Sequence, residues 1–258
     1  MQSQIIFLGT AGDSFVLSKQ QRMAGGIVIQ TENTKIHLNP GPGALIAAQQ
    51  SDIRSTTAVV VTDNSFMHMH DANAILDVMT LGGFDTKGLL LVSKSAAEKI
   101  PQLYQNAVEK TIILQEGTQI ECNAVQVEAI KIKNKDPDAV GLKIVTPTFS
   151  LGYTGKTKYF VKLKEILKDV EILIIELTSI NESKEGLCVA EAQQIIADIK
   201  PQLAVLTNFG IDVLKEDVLE LTRAMYKQTG VQVIAAKEGF AFDPTSYAVK
   251  LRQQRLQF

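Results

Sequence analysis

At 258 residues, 45% of them apolar and 21% charged, the chain has the composition of an ordinary soluble globular protein with material for a large core. A formal net charge of −2 gives no general basic field to draw in nucleic acid, and no apolar run reaches membrane-spanning length. No basic segment precedes the short apolar run Ile5–Leu8, and Cys122 and Cys188 share no motif, so a cytoplasmic protein with reduced thiols is expected.

In chain order, Ile5–Leu8 reads as a strand entering Gly-Thr-Ala-Gly at 9–12. Ile27–Gln30 and Lys35–Leu38 form a hairpin pattern, ended by Asn39-Pro-Gly-Pro-Gly. Ala58–Val61 is a short apolar strand and Ala72–Met79 a helix, followed by a strand at Leu89–Val92, a helix near Ala96–Tyr104 and strands at Thr111–Leu114 and Val125–Ile132. The second half repeats this logic: strands Leu142–Val145 and Ser150–Tyr153, a basic-rich helix Lys158–Leu167 and a strongly apolar strand Glu171–Leu177. Then come helix Val189–Ile199, strand Leu203–Thr207, helix Val213–Gln228 closed by Gly230, and strand Gln232–Ala236. No linker or repeat divides the chain, so one α/β domain over residues 1–258 is expected, with 244–258 as a tail carrying Lys250, Arg252 and Arg255.

The stretch Val59–Asn73 draws the attention. Strand ends facing helix starts are where α/β folds gather side chains above a sheet, and this turn holds two of the three histidines. Asp71 is placed to cap the following helix, and His70 to lie at its exposed start. Asp63, at a strand end, needs a partner if buried. His37, on a strand pattern, is assigned no role.

These motifs resemble the metallo-β-lactamase superfamily, in its RNase Z-like or archaeal hydrolase form. There a strand ends in Ser/Thr-His-x-His-x-Asp-His, whose side chains grip one or two metal ions. Aligned through Thr62, the ligand places fall on Asp63, Ser65, Met67 and His68. Tyr153-Thr-Gly-Lys-Thr is similar to Tyr-Thr-Gly-Asp-Thr, with Lys156 at the metal-bridging Asp. Leu206-Thr-Asn-Phe-Gly is similar to a strand ending in Thr-His-Phe-Gly, with Asn208 at the His. Asn39, Asn134 and Gly186 likewise stand where relatives carry Asp, His and His, and Glu238 replaces Asp in an Ala-Ala-x-Asp-Gly ending. The similarity runs over residues 5–242.

The resemblance implies a four-layer αββα sandwich, here a degenerate member without a hydrolytic dinuclear centre and without a cofactor. Its pocket would retain Asp63, Ser65, Met67, His68, Lys156 and Asn208, with Lys156 taking the metal's electrostatic place by neutralising Asp63. Such a chain would serve as a binding or assembly subunit, its partner an active paralogue or a second copy in a homodimer, or would hold a small molecule in the pocket. Two alternatives stand beside it. One is a metal-dependent hydrolase with a rearranged site of Asp63, His68, His70 and Asp71. The other is a nucleotide binder, because Ser150-Leu-Gly-Tyr-Thr-Gly-Lys-Thr approaches a P-loop, although Ser150 stands at a required glycine and Tyr153 would crowd the phosphate cradle.

Overall fold

The structure, a computed structural model, describes residues 3–20 and 22–248; most of the tail therefore lies outside the described residues. Its strands are β1 (Gln4–Phe7), β2 (Ile27–Gln30), β3 (Lys35–Leu38), β4 (Ala58–Val61), β5 (Leu89–Ser93), β6 (Lys110–Leu114), β7 (Gln119–Cys122) and β8 (Val125–Lys131). They continue as β9 (Val140–Val145), β10 (Ser150–Tyr153), β11 (Ile172–Ser179), β12 (Leu187–Cys188), β13 (Leu203–Thr207), β14 (Gln232–Ala235) and β15 (Ala241–Phe242). One sheet has the order β15-β1-β2-β3-β4-β5-β6. The other runs β14-β13-β11-β10-β9-β8-β7, with β12 beside β11.

Strand periodicity explains the layers. Successive side chains point to opposite faces, so a strand buried on both faces must be apolar throughout. In β4, Ala58 and Val60 enter the core between the sheets, whereas Val59 and Val61 meet the helix Ala72–Thr80 through Ile75, Leu76 and Met79. In β11, Ile172 and Ile174 face the other sheet, and Leu173 and Ile175 meet Ile195 and Ile196 of the helix Val189–Ile199. Helix, sheet, sheet and helix thus stack in four layers. No helix among the described residues is long and apolar enough to cross a membrane. Cys122 and Cys188 are both free and buried.

Several expected elements are reshaped by tertiary context. Pro101 splits the segment expected near Ala96–Tyr104 into two short helices, Lys94–Ala97 and Gln102–Asn106, because its ring cannot continue a helix. The basic-rich helix shrinks to Leu163–Ile166, since residues 157 and 158 bond sideways to Lys133 instead of along their own chain. Val213–Gln228 becomes a 3₁₀ turn at Val213–Lys215 and a helix at Val218–Thr229. Asp217 caps that helix by accepting from Leu219 N and Glu220 N. Asp71 does not cap its helix as expected: its Oδ2 accepts from the backbone N–H groups of Gly43 and Leu45.

His37 turns outward from β3 and is buried with neither ring nitrogen hydrogen-bonded. Burial, aided by the charge of Lys35, pushes its pKa down to about 4 from 6.5. The unfolded chain therefore binds a proton below pH 6.5 that the folded protein refuses until about pH 4, so stability falls as pH drops through this window. About 2 kcal/mol should be lost between pH 7 and pH 5. Urea unfolding of His37→Leu should lack that loss; an unchanged slope would refute the assignment.

Candidate functional site

The C-terminal ends of strands from both sheets converge on one point. Alternation along β4, β10 and β11 continues inward to Thr62, Tyr153 and Glu176, the next residues on the faces that carry Val60, Leu151 and Ile174. Asn39 follows β3 and Asn208 follows β13, both with left-handed backbone (φ 51° and 49°), a conformation that asparagine tolerates better than most residues. Ser65 caps the short helix Phe66–Met69, accepting from Met67 N at 3.3 Å, and this turn presents His68 to the same point.

The result is a buried chain of polar contacts. Asp63 Oδ2 lies 2.7 Å from His68 Nδ1, and Glu176 Oε1 lies 3.2 Å from His68 Nε2. Burial alone would discharge the imidazole, but the two carboxylates outweigh it and hold His68 protonated, its pKa well above 6.5. Burial likewise opposes ionisation of Asp63, yet His68 and the Ser65 N–H keep its carboxyl below the usual range. Glu176 Oε1 also accepts from the Tyr153 hydroxyl. Tyr153 in turn accepts from Asn39 Nδ2 at 2.8 Å, and that nitrogen also donates to Thr62 Oγ1 at 2.8 Å. Burial, with Glu176 second, raises the Tyr153 pKa well above 10 and keeps the phenol neutral.

Asn208 Nδ2 lies 3.2 Å from His68 Nε2, and its Oδ1 accepts from Thr207 Oγ1 at 3.4 Å. His68 thus has every ring proton engaged and no lone pair to offer.

Above this chain opens a cleft of about 460 Å³, with Asp63 and Ser65 on its wall. Lys156 reaches it from the turn after β10, but its partner is Glu185 at 3.5 Å. His68, more than Lys156, neutralises Asp63; the Lys156 charge adds a weaker pull in the same direction. Glu185 also pairs with Lys135, whose hydrogen bond leads in lowering its pKa. Asn134 and Asp136 fasten the rim: Asn134 Nδ2 donates to Lys156 O, and Asp136 Oδ2 accepts from Asn64 N and Ser95 Oγ.

Of the residues expected in the pocket, His68 touches both Asp63 and Asn208, and Ser65 and Lys156 line the cleft with Asp63. Met67 instead packs into an apolar cluster with Ala11, Val16 and Ala24. His70 is half exposed, in tilted ring contact with Phe66 and paired with Asp71, so among the described residues the rearranged set of four does not assemble. After β10 the chain runs as loop to residue 160, leaving no helix N-terminus to cradle phosphate in P-loop fashion. Glu176 and Tyr153 were missed as site members. The signal was available: a carboxylate inside the apolar run Ile172–Leu177 must meet a donor.

A hydrolytic dinuclear centre needs several imidazoles and carboxylates converging with free lone pairs. Here His68 is committed on both nitrogens, Lys156 presents a cation and Asn208 an amide. Among the described residues no group of three or more His, Cys, Asp or Glu is arranged to hold a metal. These donors do not fit such a centre.

Residues 34–209 match the family model described as a beta-lactamase superfamily domain. Among relatives, an uncharacterised protein of Methanocaldococcus jannaschii is 28% identical over 254 residues, covering 93% of this chain and 94% of its own. The metallo-beta-lactamase fold protein YhfI from Bacillus subtilis superposes with a TM-score of 0.80 at 15% identity, over 94% of this chain and 99% of that one. The short form of human tRNase Z superposes at 0.70 and 14% identity, over 93% and 99%. The chain belongs to the metallo-β-lactamase superfamily, and its two-sheet sandwich is that superfamily's fold.

Proposed function

We propose that this chain is a single-domain, cytoplasmic binding member of the superfamily, acting through the cleft at its strand ends without metal-assisted hydrolysis. The observation that carries this reading is the engagement of His68, which occupies a ligand place yet is locked as a cation between Asp63 and Glu176. A metal dication would have to displace that proton and break two buried, charge-assisted contacts. The cleft with Asp63 and Lys156 on its wall supports a ligand-binding role over one in assembly with an active paralogue or a second copy.

The test is elemental analysis of protein purified without a histidine tag and then offered zinc, manganese or iron. The expected result is far less than one metal per chain, and a melting temperature unmoved by EDTA. One or two ions per chain surviving gel filtration would overturn the reading and direct attention to hydrolase assays.

A further inference from the structure

Resting on that reading of the cleft as a binding site, we infer that its ligand is a small molecule carrying a di- or triphosphate, held by lysine ammonium groups. Five lysines line the cleft against three carboxylates, in a chain whose overall charge is −2. They come from three separate segments: Lys133 and Lys135 between β8 and β9, Lys156 and Lys158 after β10, and Lys184 between β11 and β12. This is not one solvated charge run but a convergence made by the fold.

Two of those segments are fastened side by side. Lys158 N donates to Lys133 O at 2.8 Å, and Lys133 N donates to Thr157 Oγ1 at 3.0 Å. Within the cleft, Lys135 and Lys156 are bridged by Glu185. Lys133, Lys158 and Lys184 form no ion pair with any carboxylate among the described residues. Lys133 Nζ lies over the Phe160 ring at 5.6 Å, which leaves its charge without a counter-anion. Holding like charges together is unfavourable unless an anion joins them, and three ammonium groups with no carboxylate partner answer a multivalent anion better than a single charge. Lysine acts toward phosphate as a compact point charge, and among the described residues the cleft wall contains no arginine to select a planar carboxylate bidentately. Among the described residues no aromatic ring lines it, and the nearby Phe160 ring is covered by Lys133, so recognition rests on the phosphate chain and not on a nucleobase. A volume of about 460 Å³ suits such a ligand.

The experiment is calorimetric titration of the full chain with sodium tripolyphosphate in chelator-treated buffer, with citrate as the comparison anion. One tripolyphosphate should bind per chain about tenfold more tightly than citrate, weakening as salt rises. Lys133→Gln, Lys158→Gln and Lys184→Gln should each weaken it about tenfold, while Lys131→Gln, paired with Glu116 away from the cleft, should not. Equal affinity for citrate, equal loss with Lys131→Gln, or tighter binding of a single-stranded oligonucleotide that shares these lysines would overturn the ligand class. Silence with and without added zinc would overturn it too and leave the metal-free reading standing. Binding that appears only after zinc is added would overturn both.

Discussion

His68→Ala should destabilise the protein by about 3–5 kcal/mol at pH 7, the cost of leaving buried charges without their partner. The ring is 3% exposed, and its loss leaves Asp63 and Glu176 across a void with no cation between them. One carboxyl should then take up a proton, so the deficit should shrink as pH falls. The wild-type profile carries a second signature. Because the folded-state pKa of His68 is raised, its contribution is complete below pH 6.5 and is lost as pH rises through that elevated value. Below 6.5 the ring is charged in both folded and unfolded states and its contribution is flat, which leaves the 6.5-to-4 window to His37. Asp63 enters only lower still, its contribution fading as pH drops below 3.8. Urea unfolding of wild type and His68→Ala from pH 5 to pH 9 separates these effects. A variant as stable as wild type at pH 7 would mean that the carboxylates find other partners and the buried cation is dispensable.

Gly12→Ala should cost at least about 3 kcal/mol, as overpacking against backbone does when nothing can yield. A Cβ at this position would stand 2.0 Å from Asn208 O and 2.5 Å from Asn208 C, both backbone atoms. The loop after β1 is pressed against the end of β13 there: Gly12 N donates to Phe209 O at 2.9 Å, and Phe209 N donates to Thr10 O at 2.8 Å. To admit a methyl group, the loop must release these bonds or push Asn208 away from His68. Gly117→Ala is the comparison, because a Cβ there meets nothing within 4 Å and only its positive φ of 84° is at stake. That change should cost about 1 kcal/mol. Equal melting temperatures for the two variants would show that the loop yields more easily than its hydrogen bonds imply.

The strands were the legible part of this chain. Ile27–Gln30, Lys35–Leu38, Ala58–Val61, Ser150–Tyr153 and Leu203–Thr207 begin and end as their apolar runs and turn residues indicate, because burial on both faces leaves little freedom in composition. The expected helix Lys158–Leu167 starts late because Thr157 and Lys158 are bonded side by side to Lys133. The hairpin partner β7 carries no clear strand signal, because Gln119 and Glu121 are polar and exposed and only Cys122 of its four residues is buried. In the site, the motif order placed Asp63, His68 and Asn208 together. It could not say that Met67 would turn into an apolar cluster, since a four-residue helix rotates each successive side chain by about 100° and only the three-dimensional neighbours decide which faces inward. The apolar run Ile172–Leu177 marks Glu176 as a carboxylate in need of a donor. Which donor it meets is decided only when β4 and β11, far apart in sequence, bring His68 within reach.

The pairing of β15 with β1 has a consequence for the order of events during synthesis. Ile5 lies opposite Phe242 and Ile6 opposite Ala241, so β1 borders a strand that is synthesised much later than itself. Joining them closes a loop of nearly the whole chain, an entropic cost of about 5 kcal/mol that only the assembled core can offset. Until then β1 has β2 on one side and an open row of backbone groups on the other. The growing polypeptide therefore carries an unfinished sheet edge through most of translation. Strand β1 remains able to pair with other chains until β15 arrives to cover it.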